Sequence, residues 1–429
     1  MPQTETLTPP NYPDFYSDPK VIDHPREYFA QMRSAAPVQR EAYHGSLVVS
    51  GYDEVVEVLT SRDGTFSSAV SVLGPLPPLP FTPRGDDIGE QLDAHRGEMP
   101  WTAHLVCFDG EDHTRHRALL TSLLTFKRLK ANEEYLRGLV NRLFDAFAKD
   151  GGCEVVTQFA HATSTYAISD IMGIPMADRA ELLEMLGAPP SQIDGDAVHK
   201  VGPDPLIFLK ERFDNYILSR QAEPQGDLMS DLANSRFKDG SAPPYERLAE
   251  MARFLFGAGQ DTTSRLIAMA IRVLGDRPDI QARLRAEPEK IGDFIEETLR
   301  IDPPVKVVYR LARKSTEIAG VETPAGTVIN VSLTGASNDP RHFPHPDDFD
   351  MDREGLRDHM AFSRGGHACM GAPLARLEAR VAIEELLKRT RDIRISEAHH
   401  GPPDARRYEF EPTYSFRNIA RLNIEFDVA

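Results

Sequence analysis

The sequence predicts a mainly α-helical protein with small β-sheets, folded as a single large domain over residues 1–429. Three observations carry this. From 111 to about 301 the apolar residues recur mostly with a helical period. Residues 307–334 and 391–429 read instead as short strands and turns. The chain holds no internal repeat and no Ser/Gly linker at which it would divide, and its charged stretches are short and mixed.

In chain order, residues 1–24 are Pro-rich and polar and read as a surface strap. Residues 25–36 are helical. Residues 37–51 alternate and then run through Ser46-Leu-Val-Val-Ser-Gly51, a short hairpin, and 52–62 return to helical spacing. Segment 68–106 is long and irregular, with Gly74-Pro-Leu-Pro-Pro-Leu-Pro-Phe-Thr-Pro83 and the single tryptophan, Trp101. Long loops of this kind are functional or disordered, and this one is apolar enough to cover something. Helix-like stretches follow at 111–124, 129–149, 157–172, 206–222 and 244–276, punctuated by Pro175, Pro189-Pro190 and Pro203 to Pro205. A turn at Pro324-Ala-Gly326 joins the strands of 307–334, and 338–362 is rich in Asp, Pro, Phe and His with little periodicity.

Lys plus Arg number 49 and Asp plus Glu 66, a net charge of −17, which repels nucleic-acid phosphates. Three cysteines, Cys107, Cys153 and Cys369, form no CxxC pair, against a disulfide framework or a zinc ribbon and in keeping with a reducing compartment. The N-terminus lacks a basic-then-apolar signal pattern, and no apolar run reaches the length of a bilayer. The expectation is a soluble, cytoplasmic protein without membrane association.

Cys369 lies in Phe362-Ser-Arg-Gly-Gly-His-Ala-Cys-Met-Gly371. Gly365 and Gly371 bracket it and permit backbone conformations that other residues resist. Pro373 suits a first helical turn, and Leu374, Leu377 and Val381 mark one buried helix face. A thiol at a helix N-terminus meets the positive dipole end and free N–H groups, which favour thiolate. Such a thiolate can ligate one open face of a metal.

Ala258-Gly-Gln-Asp-Thr-Thr263 interrupts a long helical pattern with poor helix formers. A threonine bonding back to the preceding turn opens the ladder and leaves a groove, a hydroxyl and a neighbouring carboxylate, suited to a small polar molecule and to proton relay. Taken alone, the motif reads as a packing glycine followed by a capping Asp-Thr. Glu297 and Arg300 share a helix face at a junction closed by Pro303-Pro304. His113 and Arg117 lie four apart on one face, and with Arg310 and His367 they are anion-binding candidates on three segments.

Together these motifs resemble the cytochrome P450 family of haem-thiolate monooxygenases, in the family's order over roughly residues 20 to 425. Phe362-x-x-Gly365-x-His367-x-Cys369-x-Gly371 is similar to its cysteine loop. Ala258-Gly259-x-Asp261-Thr262-Thr263 is similar to its oxygen-binding groove, and Glu297-x-x-Arg300 to its Glu-x-x-Arg helix. Asn338-Asp-Pro through Arg353 resembles the meander, with Arg353 completing a Glu-Arg-Arg cluster. The length and the lack of a membrane anchor are similar to the soluble bacterial branch.

The resemblance implies the family's triangular-prism fold and haem b, with Cys369 as proximal iron ligand and Phe362 shielding the sulfur. His113, Arg117, Arg310 and His367 would neutralise the propionates. Thr262 would offer its hydroxyl to dioxygen, and Asp261 would relay protons, rotating to do so. No reductase is expected in the chain, so electrons from NAD(P)H would arrive through a ferredoxin reductase and a ferredoxin docking on a monomer. Arg115, Lys127, Arg128, Lys130, Arg376 and Arg380 would form a basic docking face. The substrate pocket would draw on 68–106, 175–205, 305–309 and 413–418, with Trp101, Phe254, Leu255, Ala258, Val305, Val307, Val308, Tyr414 and Phe416 on offer for a hydrophobic molecule. Lys306 would point away, snorkelling or meeting a propionate, rather than bind a substrate carboxylate. Two other classes stand against this reading: a haem sensor or carrier without turnover, which the Asp261-Thr262 pair disfavours, and a zinc enzyme using Cys369 and His367, which lacks a third ligand.

Overall fold

The structure, a computed structural model, describes residues 12–75, 77–186, 204 and 206–429. Residues 1–11 of the N-terminal strap, and 187–203 of the stretch expected to contribute to the pocket, lie outside the described residues. The architecture is mainly helical with small sheets.

The central element is the helix Tyr245–Asp276, buried along most of its second half. It packs on the helices Lys210–Ala222, His161–Met172, Ala372–Arg389 and Ile291–Ile301. Leu266, Ile267, Met269, Ala270 and Ile271 of this helix enter the largest apolar core with Phe144, Phe294 and Ile383. Removal of this continuous apolar surface from water is the main source of stability.

Ten short strands are present among the described residues: β1 (Val38–Arg40), β2 (Leu47–Val49), β3 (Phe66–Ser67), β4 (Gly152–Glu154), β5 (Val307–Ala312), β6 (Thr316–Ile318), β7 (Val321–Thr323), β8 (Val328–Ser332), β9 (Thr390–Ile395) and β10 (Asn423–Val428). One sheet runs β1-β2-β8-β5-β3, another β4-β10-β9, and β6 pairs with β7. The expected hairpin is β1–β2, antiparallel, with Val38 opposite Val49. Strand β2 then joins β8 in parallel, and β5 lies antiparallel to β8.

Several helices depart from the sequence reading, among them Pro19–Asp23 inside the strap and Glu397–His400 inside the stretch read as strands. Gly89–His95 is helical inside the stretch expected to be irregular, and Met176–Leu186 forms a helix not anticipated after Pro175. The Pro-rich run does not cover the cavity described below. It packs on the Pro324-Ala-Gly326 turn, where a Cβ on Gly326 (φ +89°) would stand 2.3 Å from Pro83 Cγ.

Candidate active site

Cys369 follows a tight turn that the glycines make possible. Gly365 has φ +72°, and a Cβ there would fall 2.1 Å from the Leu59 carbonyl oxygen. The Cys369 amide donates to the Phe362 carbonyl at 2.8 Å and closes the loop. The helix Ala372–Arg389 then starts with Pro373 in its first turn and Gly371 at its cap. Burial raises the Cys369 thiol, while the N–H groups of Gly371 and Ala372, then Arg117, oppose the rise. The N–H groups of the helix start favour thiolate, as the sequence suggests, and Arg117 adds to them, but burial outweighs both and leaves the thiol raised.

Cys369 opens into a cavity of about 280 Å³. Its wall includes Phe362, Phe254, Leu255, Ala258, Thr262, Val305 and Val308. The Thr262 hydroxyl donates to the Ala258 carbonyl at 2.8 Å, within the central helix. Asp261 is not in the wall. It is held by Arg265 through two bonds of 2.8 and 3.0 Å, and Arg265 also reaches Glu411 at 3.0 Å. The relay read into the pair therefore requires Asp261 to leave Arg265 first.

The expected pocket set needs correction. Trp101, Val307, Tyr414 and Phe416 are not among the lining residues. Val307 is buried on the far face of β5, in an apolar core with Leu311. Successive side chains of a strand point to opposite faces, so Val307 and Val308 cannot both line one cavity. Tyr414 packs 6.2 Å from Phe15, and Phe416 carries the Arg265 guanidinium 5.2 Å from its ring. Trp101 is half-buried in a left-handed turn (φ 62°). Leu105, Val106, Ile168, Leu299 and Leu333, which the sequence did not single out, complete the apolar wall. Lys306 is buried, and its ammonium donates to the Thr413 carbonyl at 2.7 Å, away from the lining.

The anion-binding candidates do assemble. His113, Arg117 and His367 line the cavity beside the cysteine loop. The His113 and His367 rings stack with centroids 3.9 Å apart. Ser68 Oγ lies 3.0 Å from His367 Nε2, and Arg117 donates to the Ala368 carbonyl. Arg310 stands just behind, donating to Ser71 Oγ at 3.1 Å, and is buried. Burial and then Arg117 lower His113 to about 4; burial and then Arg310 lower His367 to about 2. Burial lowers Arg310 to about 10. His113 Nε2 is buried with no hydrogen-bond partner. Two arginines, two imidazoles and an orphaned ring nitrogen beside a thiol fit a flat macrocycle that carries carboxylates and an iron.

The scaffold behind the cysteine is ionic. Arg300 donates to both Glu297 oxygens at 2.7 and 2.8 Å, and both side chains are fully buried. Arg353 adds a 3.3 Å bond to the same carboxylate. Arg300 also donates to the carbonyls of Ser337, Pro346 and Asp348, which pins the meander. Glu296, absent from the sequence reading, binds Arg376 at 2.6 and 2.8 Å and sits 3.1 Å from His359. Arg376 in turn lies 4.5 Å over the Phe362 ring.

The basic face is mostly spoken for. Arg115 meets Asp239, Arg128 meets Asp231, Arg376 meets Glu296, and Arg380 meets Glu384 and Glu133. Lys127 and Lys130 are exposed and have no ion-pair partner among the described residues. Among those residues, Cys369 and His367 belong to no metal-type cluster of three or more donors, against the zinc reading. No described helix is long and apolar enough to cross a membrane.

The Cytochrome P450 family model matches residues 208–391. Cytochrome P450 144 of Mycobacterium tuberculosis is 31% identical over 387 residues, 88% of this chain and 85% of its own. The cytochrome P450 monooxygenase PikC of Streptomyces venezuelae is 33% identical over 290 residues, 67% of this chain and 68% of its own. The substrate-free structure of Mycobacterium marinum cytochrome P450 CYP150A6 superposes with a TM-score of 0.90 at 44% identity, covering 97% of this chain and 99% of that one.

Proposed function

This chain belongs to the cytochrome P450 family, and on that premise we propose that it inserts one atom of dioxygen into an apolar, uncharged organic substrate by C–H hydroxylation or epoxidation. The observation that carries this is the Thr262 hydroxyl in the wall of the same cavity that Cys369 enters. The balance is one dioxygen, two electrons and two protons, giving oxygenated product and water. Electrons originate in NAD(P)H and come through a ferredoxin reductase and a ferredoxin, to a monomeric enzyme in the cytoplasm.

Haem b, held by Cys369 with its propionates among His113, Arg117, Arg310 and His367, supplies dioxygen reduction and oxygen transfer when bound. Phe362 excludes water from the sulfur. Thr262 exchanges its bond to the Ala258 carbonyl for one to a guest in the groove and passes a proton to it. Asp261, once free of Arg265, resupplies that proton from solvent. The aliphatic wall with Phe254 orients the substrate by shape, since its cationic members belong to the propionates.

A haem carrier would need no hydroxyl over the cysteine. The test supplies holoprotein with NADPH, a bacterial ferredoxin and its reductase under ¹⁸O₂. Substrates are first picked from an apolar library by their low- to high-spin shift. One labelled oxygen per product supports the reading; a spin shift with no reductant-dependent product sinks it.

A further inference from the structure

Apart from the cysteine side, the described residues gather His104, Asp204 and Glu250 within 4.8 Å of one another. Three segments meet there. His104 precedes the turn Leu105–Cys107 and is 3% exposed. Asp204 precedes the helix Lys210–Ala222, and Glu250 lies on the central helix. His104 Nδ1 is 2.5 Å from Glu250 Oε1, and its Nε2 is 3.5 Å from Asp204 Oδ1. Arg253, 4% exposed, donates from one nitrogen to Asp204 Oδ2 at 2.7 Å and to Glu250 Oε2, and from another to the Leu206 carbonyl at 3.0 Å.

The donor set suits a metal, yet the arrangement argues otherwise. Arg253 already occupies an oxygen of each carboxylate. Neighbouring ligands of a tetrahedral ion at about 2.0–2.2 Å stand roughly 3.4 Å apart, wider than the His104–Glu250 contact. The Arg253 guanidinium thus already stands between the two carboxylates, in the place a cation would take.

What the group joins is the cavity wall. Leu105 and Val106 follow His104 directly, Phe254 follows Arg253, and all three line the cavity. The His104 and Phe254 rings lie 4.9 Å apart. Arg247 adds a 2.8 Å bond to the Ala103 carbonyl. Leu206 presses on the central helix so closely that a Cβ on Gly257 would meet its Cδ2 at 2.7 Å.

We propose that His104, Asp204, Glu250 and Arg253 form an ionic clamp that holds the Leu105–Val106 turn against the central helix and so sets how long the cavity retains an apolar ligand. This rests on the reading of the cavity as the haem and substrate site. None of the four lines the cavity, so they are positioning residues. Removing one leaves its partners' charge buried and uncompensated, which pushes the segments apart. The effect falls on ligand escape and not on the iron ligand.

The test uses holoprotein and two probes: imidazole, which needs only the iron, and 4-phenylimidazole, whose ring must fill the apolar cavity. Wild type, His104→Ala, the milder His104→Gln, Glu250→Gln and the double variant are compared by spectral titration and stopped-flow dissociation. Each single variant should release 4-phenylimidazole about tenfold faster and keep imidazole affinity within about twofold, with the reduced carbon monoxide band unchanged. The double variant should be no worse than the single ones, because the residues act as one unit. Equal weakening of both probes, no change with either, or additive losses would overturn the clamp. So would zinc(II) that raises the melting temperature of wild type but not of His104→Ala. Failure of wild type to bind imidazole at all would instead strike the haem reading.

Discussion

On the cysteine side of the cavity, Glu297 and Arg300 are fully buried, bonded to each other twice and to three backbone carbonyls. Elsewhere in the cavity wall, Leu105 and Val106, Phe254, and Val308 come from three segments, and the surface they turn to the cavity is apolar. A buried ion pair costs much to desolvate and tolerates only one geometry. Apolar contacts are non-directional and accept many shapes. Buried charge thus sits directly behind the cysteine loop, whereas the apolar surface of Leu105, Val106 and Phe254 carries its ionic support, His104 and Arg253, one residue back from the cavity.

The sharpest way to break this contrast is at the sulfur. Cys369→Ser should abolish turnover and the strongly red-shifted reduced carbon monoxide band of thiolate haem; an unaltered spectrum with full activity would end the present interpretation. Next is the buried pair. Glu297→Gln strips Arg300 of its counter-charge and should cost about 3–5 kcal/mol, seen as a large fall in melting temperature and a poor yield of haem-loaded protein. Exchanging Leu105 for Val should do neither, if the two sides differ as described.

Thr262→Ala should spare haem binding, since the hydroxyl bonds to the Ala258 carbonyl of its own helix, and should lower product formed per NAD(P)H consumed several-fold. Unchanged coupling would remove Thr262 from the reaction. A smaller effect comes from Glu296. Burial raises its carboxyl, but Arg376 and His359 outweigh this and hold it at about 2, against an ordinary 4.5. Its folded value is the lower one, so its stabilisation is whole above about 4.5 and fades as pH falls toward about 2. The stability gap between wild type and Glu296→Gln, followed by denaturant melts, should close over that window. The least effect is expected at the surface. Lys127→Glu should slow reduction by ferredoxin a few-fold, more at low salt than at high. Arg115→Glu should do less, because Asp239 already offsets that charge.

Local chemistry was the part legible in the sequence. The cysteine loop, the Glu297–Arg300 spacing and the Ala258–Thr263 break each lie within one short stretch whose residue types dictate its shape. Glu296 stayed hidden because its partner Arg376 is eighty positions on and no spacing rule links them. Val307 and Val308 are adjacent on β5, and strand alternation sends them to opposite faces. Trp101, Tyr414 and Phe416 lie on segments that the resemblance assigns to the pocket, and a segment's place in the fold does not say whether a given ring meets the cavity or a neighbouring core. The helix Met176–Leu186 was lost among prolines that punctuate its surroundings without interrupting it.

Strand β10 has a bearing on how the molecule is made. It is the middle strand of its sheet, pairing Ile424 with Cys153 on one side and with Ile395 on the other. Nearby, Arg417 donates to the carbonyls of Ile22 and Asp23, near the opposite end of the sequence. A nascent chain still tethered to the ribosome lacks both ties, so it must wait with apolar surface unsealed until translation passes residue 428.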